Sequence, residues 1–166
     1  PWEGVQPRID CRGYSRNSYN LFILKRRKFS LDTKVYRIED IQKDYRAIEE
    51  AADLIKQGRV VAFPTETVYG LGANALDGQA VNRIFEAKGR PNDNPLIVHI
   101  AKIEDIEPLV LGVPAKVYQL IETFWPGPLT IILKKSHKVP DATTAGLATV
   151  ALRMPNHPIA LALIDR

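Results

Sequence analysis

One cysteine, Cys11, stands in a chain of 166 residues, so no internal disulfide or thiolate metal cluster can form. Such a chain suits a reducing compartment, and a cytoplasmic place is expected. Apolar runs are short: none approaches the roughly 20 residues a membrane-spanning helix needs, and no membrane partner is expected. The three histidines, His99, His137 and His157, lack metal-ligand spacing, so no protein-built metal centre is expected. No Ser/His/Asp or Cys/His arrangement suggests a covalent nucleophile. Gly70 and Gly72 follow an apolar run, but Ala75 stands where a dinucleotide fingerprint has its third glycine, and no Gly-Lys-Ser/Thr follows.

The bulk composition, 45% hydrophobic and 25% charged, is that of one ordinary globular domain. The net charge is +4, and it is unevenly placed. Residues 1–30 hold seven Arg or Lys against two acids, a net of +5, which leaves −1 for the remainder. The domain body therefore carries no electrostatic footprint for RNA or membranes. The composition predicts a basic, disordered tail over 1–30 and a domain over 31–166. A phosphate-contacting arm or a targeting segment is the alternative for the tail.

Strand and helix patterns alternate along 31–166, which predicts an α/β fold with a twisted, open, mixed sheet and helices on its faces. Tyr45, Ile48, Ala52 and Ile55 fall on one helical face, with Gly58 at the C-terminal cap position. Val60 to Phe63 is a buried strand stopped by Pro64, and it opens into a loop of hydroxyls and glycines, Thr65 to Ala75. Asp77 can cap a helix whose inward stripe is Val81, Ile84 and Phe85. A strand from Leu96 to Ile100 comes next, then a helical stretch near Ile103 to Leu111. Val117, Leu120, Ile121 and Phe124 mark another helix, which Trp125-Pro126-Gly127-Pro128 ends. Leu129 to Leu133 and Thr149 to Met154 read as strands around a loop. A last helix begins at His157 and stops with no partner in sight.

Two polar loops bracket one helix, so their side chains can converge on one cleft at the strand ends. The first offers Thr65, Thr67 and Tyr69 as hydroxyl donors. In the second, the Lys88 ammonium and the forked Arg90 guanidinium, with Asn92 and Asn94 as neutral donors, suit adjacent phosphates. Lys88 also sits where a helix dipole favours a cation, which alone could explain it. His99, in an otherwise apolar strand, is either a hydrogen-bonded core residue or a site residue. Arg153 ends a buried strand and needs an anionic partner, a protein carboxylate or a ligand; Asp141 is the nearest preceding acid.

The motifs AFPTETVYGLGANA (62–75), KGRPNDNPLIVHI (88–100), WPGPLTIIL (125–133) and TAGLATVALRMPNHPIA (144–160) together resemble the YrdC-type L-threonylcarbamoyladenylate synthase family. The resemblance covers the chain from about Ala47 to its end. It implies a nucleotidyltransferase that joins L-threonine, bicarbonate and ATP into threonylcarbamoyl-AMP and pyrophosphate, for the threonylcarbamoyl modification of tRNA. It assigns Thr67, His99 and Arg153 to L-threonine and Lys88, Arg90, Asn94 and Thr149 to ATP, with Lys88 and Arg90 as the catalytic cations. It also implies Mg²⁺ shared with the phosphates, and as partners tRNA or a downstream threonylcarbamoyl transferase. The family pattern continues with further strands and a Ser-Ala-Asn motif that do not follow Arg166. The chain is therefore expected to be the N-terminal part of such a domain, with weak or no turnover by itself. An RNA-binding YrdC-like module, the carbamoyl-transfer domain of hydrogenase maturation proteins and an inactive fragment are the rival readings.

Overall fold

Short apolar runs become strands and amphipathic stripes become helices, in the alternating order the sequence suggests. The computed structural model describes residues 19–27 and 30–166, with side chains from Thr33 onward. The elements are β1 (Tyr19–Arg27), β2 (Ser30–Ile38), α1 (Tyr45–Lys56), β3 (Val61–Pro64), β4 (Tyr69–Gly72) and α2 (Gly78–Lys88). They continue with β5 (Ile97–His99), a 3-10 helix (Ile103–Leu109), α3 (Ala115–Phe124), β6 (Ile131–Lys134), α4 (Asp141–Thr144), β7 (Thr149–Arg153) and α5 (Pro158–Ile164).

The α/β class holds, and the described strands divide over two sheets. Four strands in the order β2-β1-β3-β4 pair antiparallel throughout. Three in the order β5-β7-β6 form a mixed sheet, with β5 parallel and β6 antiparallel to the central β7. Each sheet has its own core. Ile48 and Ala51 of α1 pack with Val61, Phe63 and the α5 residues Ile159 and Leu163. Ile106 and Leu109 of the 3-10 helix, with Ile121 and Trp125, pack on Val98, Val150 and Leu152 of the second sheet.

Four local expectations need correction. Tyr19–Arg27 forms a strand inside the segment expected to be a tail; strand pairing needs only extended backbone alongside β2 and β3, which a composition averaged over 30 residues conceals. Residues 1–18 and 28–29 lie outside the described residues. The polar loop after β3 is shorter than expected, because the chain turns back at once into β4. Gly72 permits that hairpin: a Cβ there would meet the ring of the buried Phe63 at 2.6 Å. In α3 the predicted stripe is only partly covered, Ile121 being buried and Phe124 52% exposed, because one layer alone packs on that helix. Finally, the last helix does have partners, α1 and β3.

Helix ends follow their sequence signals. Asp77 accepts a hydrogen bond from the Gln79 amide at 2.9 Å and so caps α2. At the other end Gly89, at φ 59°, donates to the Glu86 carbonyl while Arg90 N donates to that of Phe85, the paired bonds of a Schellman stop. Lys135 organises the segment before β7. Its ammonium donates to Val139 O at 3.2 Å, Asp141 Oδ1 at 2.5 Å and Thr144 Oγ1 at 3.3 Å. Trp125–Pro126 is a cis peptide, and beyond it Gly127 N donates to Met154 O at 2.8 Å, tying that turn to the end of β7.

Leu152 is completely buried in the central strand of the mixed sheet. Leu152→Ala is expected to lower stability by about 2–5 kcal/mol. The change is read as a lower urea midpoint at unchanged denaturant slope.

Candidate functional site

The mixed sheet has a covered face and an open one. Side chains alternate along β7, so Val150 and Leu152 enter the core while Thr149, Ala151 and Arg153 point the other way. Pairing extends that second face across the sheet in three rungs. Thr149 lies opposite Lys134, Ala151 lies between Ile97 and Ile132, and Arg153 lies opposite His99. Ile97 and Ile132 are exposed. The face therefore has an apolar middle and polar ends.

The Arg153 end is the most constrained part. Arg153 Nη2 donates to Glu66 Oε1 at 2.5 Å and lies 3.4 Å from Thr67 Oγ1. Both members of the ion pair are largely buried, the arginine side chain 13% exposed and the glutamate 17%. Glu66 and Thr67 come from the turn between β3 and β4, so the pair joins the two sheets. That turn is itself rigid, because Thr65 Oγ1 donates to Val68 O at 2.5 Å and accepts from the Thr67 and Val68 amides. Burial pushes the Glu66 carboxyl up, but the hydrogen bond and positive charge of Arg153, together with the nearby backbone amides of Glu66 and Asn156, outweigh it and hold it below its ordinary value.

Next to this pair sits His99, with Nδ1 3.2 Å from Ile97 O and the Phe63 ring edge-on at 6.3 Å. Burial lowers its pKa below 6.5, and the Arg153 charge acts in the same direction. His99 also lines an open cavity of about 820 Å³ between the two sheets, shared with Phe63, Ile84, Lys88, Ile97 and Leu163.

The residues singled out in the sequence thus fall into three places. Thr67, His99 and Arg153 meet at one end of the open sheet face. Lys88 reaches the cavity wall from the last turn of α2, while Arg90 and Asn94 follow on an exposed loop whose Asn92 donates to Asn82 at 3.0 Å. Thr149 shares a face with Arg153 but stands four residues away along the strand, about 13 Å. Asp141, the acid nearest before Arg153 in sequence, pairs with Lys135 instead. Glu66 is the residue sequence reasoning passed over; as an acid inside a Thr-X-Thr turn it had a signal, which its separation of 87 residues from Arg153 concealed. Among the described residues no three His, Cys, Asp or Glu side chains are grouped to hold a metal ion. No helix among them is long and apolar enough to cross a membrane.

The Sua5_yciO_yrdC family profile, described as telomere recombination, matches residues 53–166. The chain belongs to the Sua5/YciO/YrdC family. It is 62% identical over 118 residues to the threonylcarbamoyl-AMP synthase of Pyrococcus abyssi (strain GE5 / Orsay), a match that covers 71% of this chain and 35% of the relative. To the Bacillus subtilis (strain 168) threonylcarbamoyl-AMP synthase it is 59% identical over 118 residues, 70% of this chain and 34% of that protein. The crystal structure of P. abyssi Sua5 complexed with L-threonine superposes with a TM-score of 0.70 at 62% identity, covering 71% of this chain and 35% of that one. The chain spans about a third of the length of these Sua5-family relatives.

The two histidines with lowered pKa values set a pH window. His99 and His157 are both displaced below 6.5, chiefly by burial. A depressed folded value means that the unfolded chain takes up protons first. Their contribution to stability is therefore complete above 6.5 and is lost as pH falls from there through their folded values. NMR titration should give the His99 imidazole a midpoint below 6.5, and His99→Gln should flatten the loss of stability in that window.

Proposed function

We propose that this chain carries the amino-acid site and part of the nucleotide site of a threonylcarbamoyl-AMP synthase. The reaction joins L-threonine, bicarbonate and ATP, releases pyrophosphate and yields threonylcarbamoyl-AMP. The observation that carries the proposal is the meeting of Thr67, His99 and Arg153, from three distant segments, around one buried guanidinium. Identity to proteins named threonylcarbamoyl-AMP synthase supports the same reading, as does a relative solved with L-threonine.

In this reading Arg153 takes the threonine carboxylate, with the Thr67 hydroxyl and a neutral His99 beside it. Once the amine has become a carbamate, its oxygen attacks the α-phosphorus of ATP; a new P–O bond forms as the bond to pyrophosphate breaks. Two anions must meet, and negative charge grows on the leaving group, so cations are the main requirement. Lys88 and Arg90 supply them, with Asn94 as a neutral donor. Thr149, at the far rung, serves the nucleotide and is well separated from the threonine end. The described residues do not fit a protein-built magnesium cage, so we assign Mg²⁺ to the phosphate oxygens of bound ATP. A cytoplasmic setting, and tRNA or the threonylcarbamoyl transferase that consumes the product as partners, follow from the same reading.

Calorimetry with ATP and L-threonine, separately and together, tests it. Both ligands should bind; failure of both would sink the proposal. Arg90→Ala should weaken ATP by about tenfold or more, as expected for loss of a charge-assisted contact, while leaving threonine affinity in place. Pyrophosphate release that depends on ATP and threonine then reports turnover directly.

A further inference from the structure

The Glu66–Arg153 pair is one-armed. A carboxylate and a guanidinium can pair through two parallel hydrogen bonds, but here both side-chain hydrogen bonds of the arginine leave from Nη2, to Glu66 and to Thr67. Glu66 Oε2 and Arg153 Nε are buried without a protein hydrogen-bond partner. Among the described residues Nη1 has no hydrogen-bond partner, and it is not one of those enclosed atoms. The guanidinium is thus held by one nitrogen and offers another, on the sheet face that also presents His99.

We propose that Glu66 is the positioning residue of the amino-acid subsite: it holds Arg153 by Nη2 so that Nη1 meets the carboxylate of an α-amino acid beside Thr67. This rests on the reading of Arg153 as a threonine-contacting residue. Three observations carry the assignment to Glu66. A largely buried guanidinium needs a counter-charge, and Glu66 is the carboxylate in contact with it. Glu66 stands in a turn pinned by Thr65, so its backbone cannot easily follow the arginine elsewhere. It adjoins Thr67 in sequence, which couples the orientation of the cation to that of the hydroxyl.

L-threonine and L-threoninamide, which keeps the amine and hydroxyl but lacks the carboxylate, separate this role from a merely structural one. By calorimetry on the 166-residue chain, threonine should bind more tightly than the amide. Glu66→Gln and Glu66→Ala should reduce that preference by about tenfold, while ATP affinity is unchanged. The isosteric Glu66→Gln carries the test if Glu66→Ala does not fold. An intact preference in the folded variants overturns the proposal, as does tighter threonine binding, which would make Glu66 a competitor of the substrate. Equal weakening of acid, amide and ATP overturns it too, because that is what general loosening of the fold produces. If the unsubstituted chain binds no threonine, the functional reading itself falls; if it binds and the variants keep its preference, only the role of Glu66 does.

Discussion

A guanidinium removed from water must find an anion, and much of the site's arrangement follows from how Arg153 does so. β7 is the central strand of its sheet and cannot move without disturbing the pairings on both sides. The side chain at its end is largely buried, and its counter-charge comes from the other sheet, through the turn between β3 and β4. One ion pair thereby ties that turn, and with it the hydroxyl of Thr67, to the end of β7. Removing either partner would leave an uncompensated buried charge, a larger penalty than an exposed ion pair such as Lys34–Glu50 could impose.

The second constraint is that the second core packs on one side of the mixed sheet. Leu152, Val150 and Val98 bury against the 3-10 helix and the start of the Trp125 turn. The opposite face is closed at its Arg153 end, where the turn between β3 and β4 lies against it, and exposed at Ile97 and Ile132. Its rungs run from His99–Arg153 through an apolar middle to Thr149–Lys134. The same period of two that makes a strand amphipathic thus separates the core residues of β7 from the proposed site residues.

Lys88 and Arg90 differ although they are two residues apart. Lys88 belongs to the last turn of α2 and points along the cavity wall, where the helix terminus already favours a cation. Gly89 then takes the left-handed conformation that ends the helix, so Arg90 leaves on an exposed loop. Both side chains are exposed, one at the end of a helix and the other on the loop that follows.

Local patterns were legible in the letters: the buried stripe of α2, Ile48 and Ala52 of α1 although Tyr45 stays exposed, the Asp77 cap, the stop at Gly89, the continuous apolar β3 and the alternating class of fold. These depend on neighbours within a few residues, so the sequence by itself determined them, along with the motifs that mark the family. What pairs across long separations could not be read that way. The need of Arg153 for an anion was visible, but its nearest preceding acid turned to Lys135, and the true partner lay 87 residues earlier. The division of strands into two sheets, the contacts of α5 and the strand at Tyr19–Arg27 were equally hidden. Only the tertiary structure decided these, because strand pairing and ion pairing are selected by which backbones the whole packed core brings side by side.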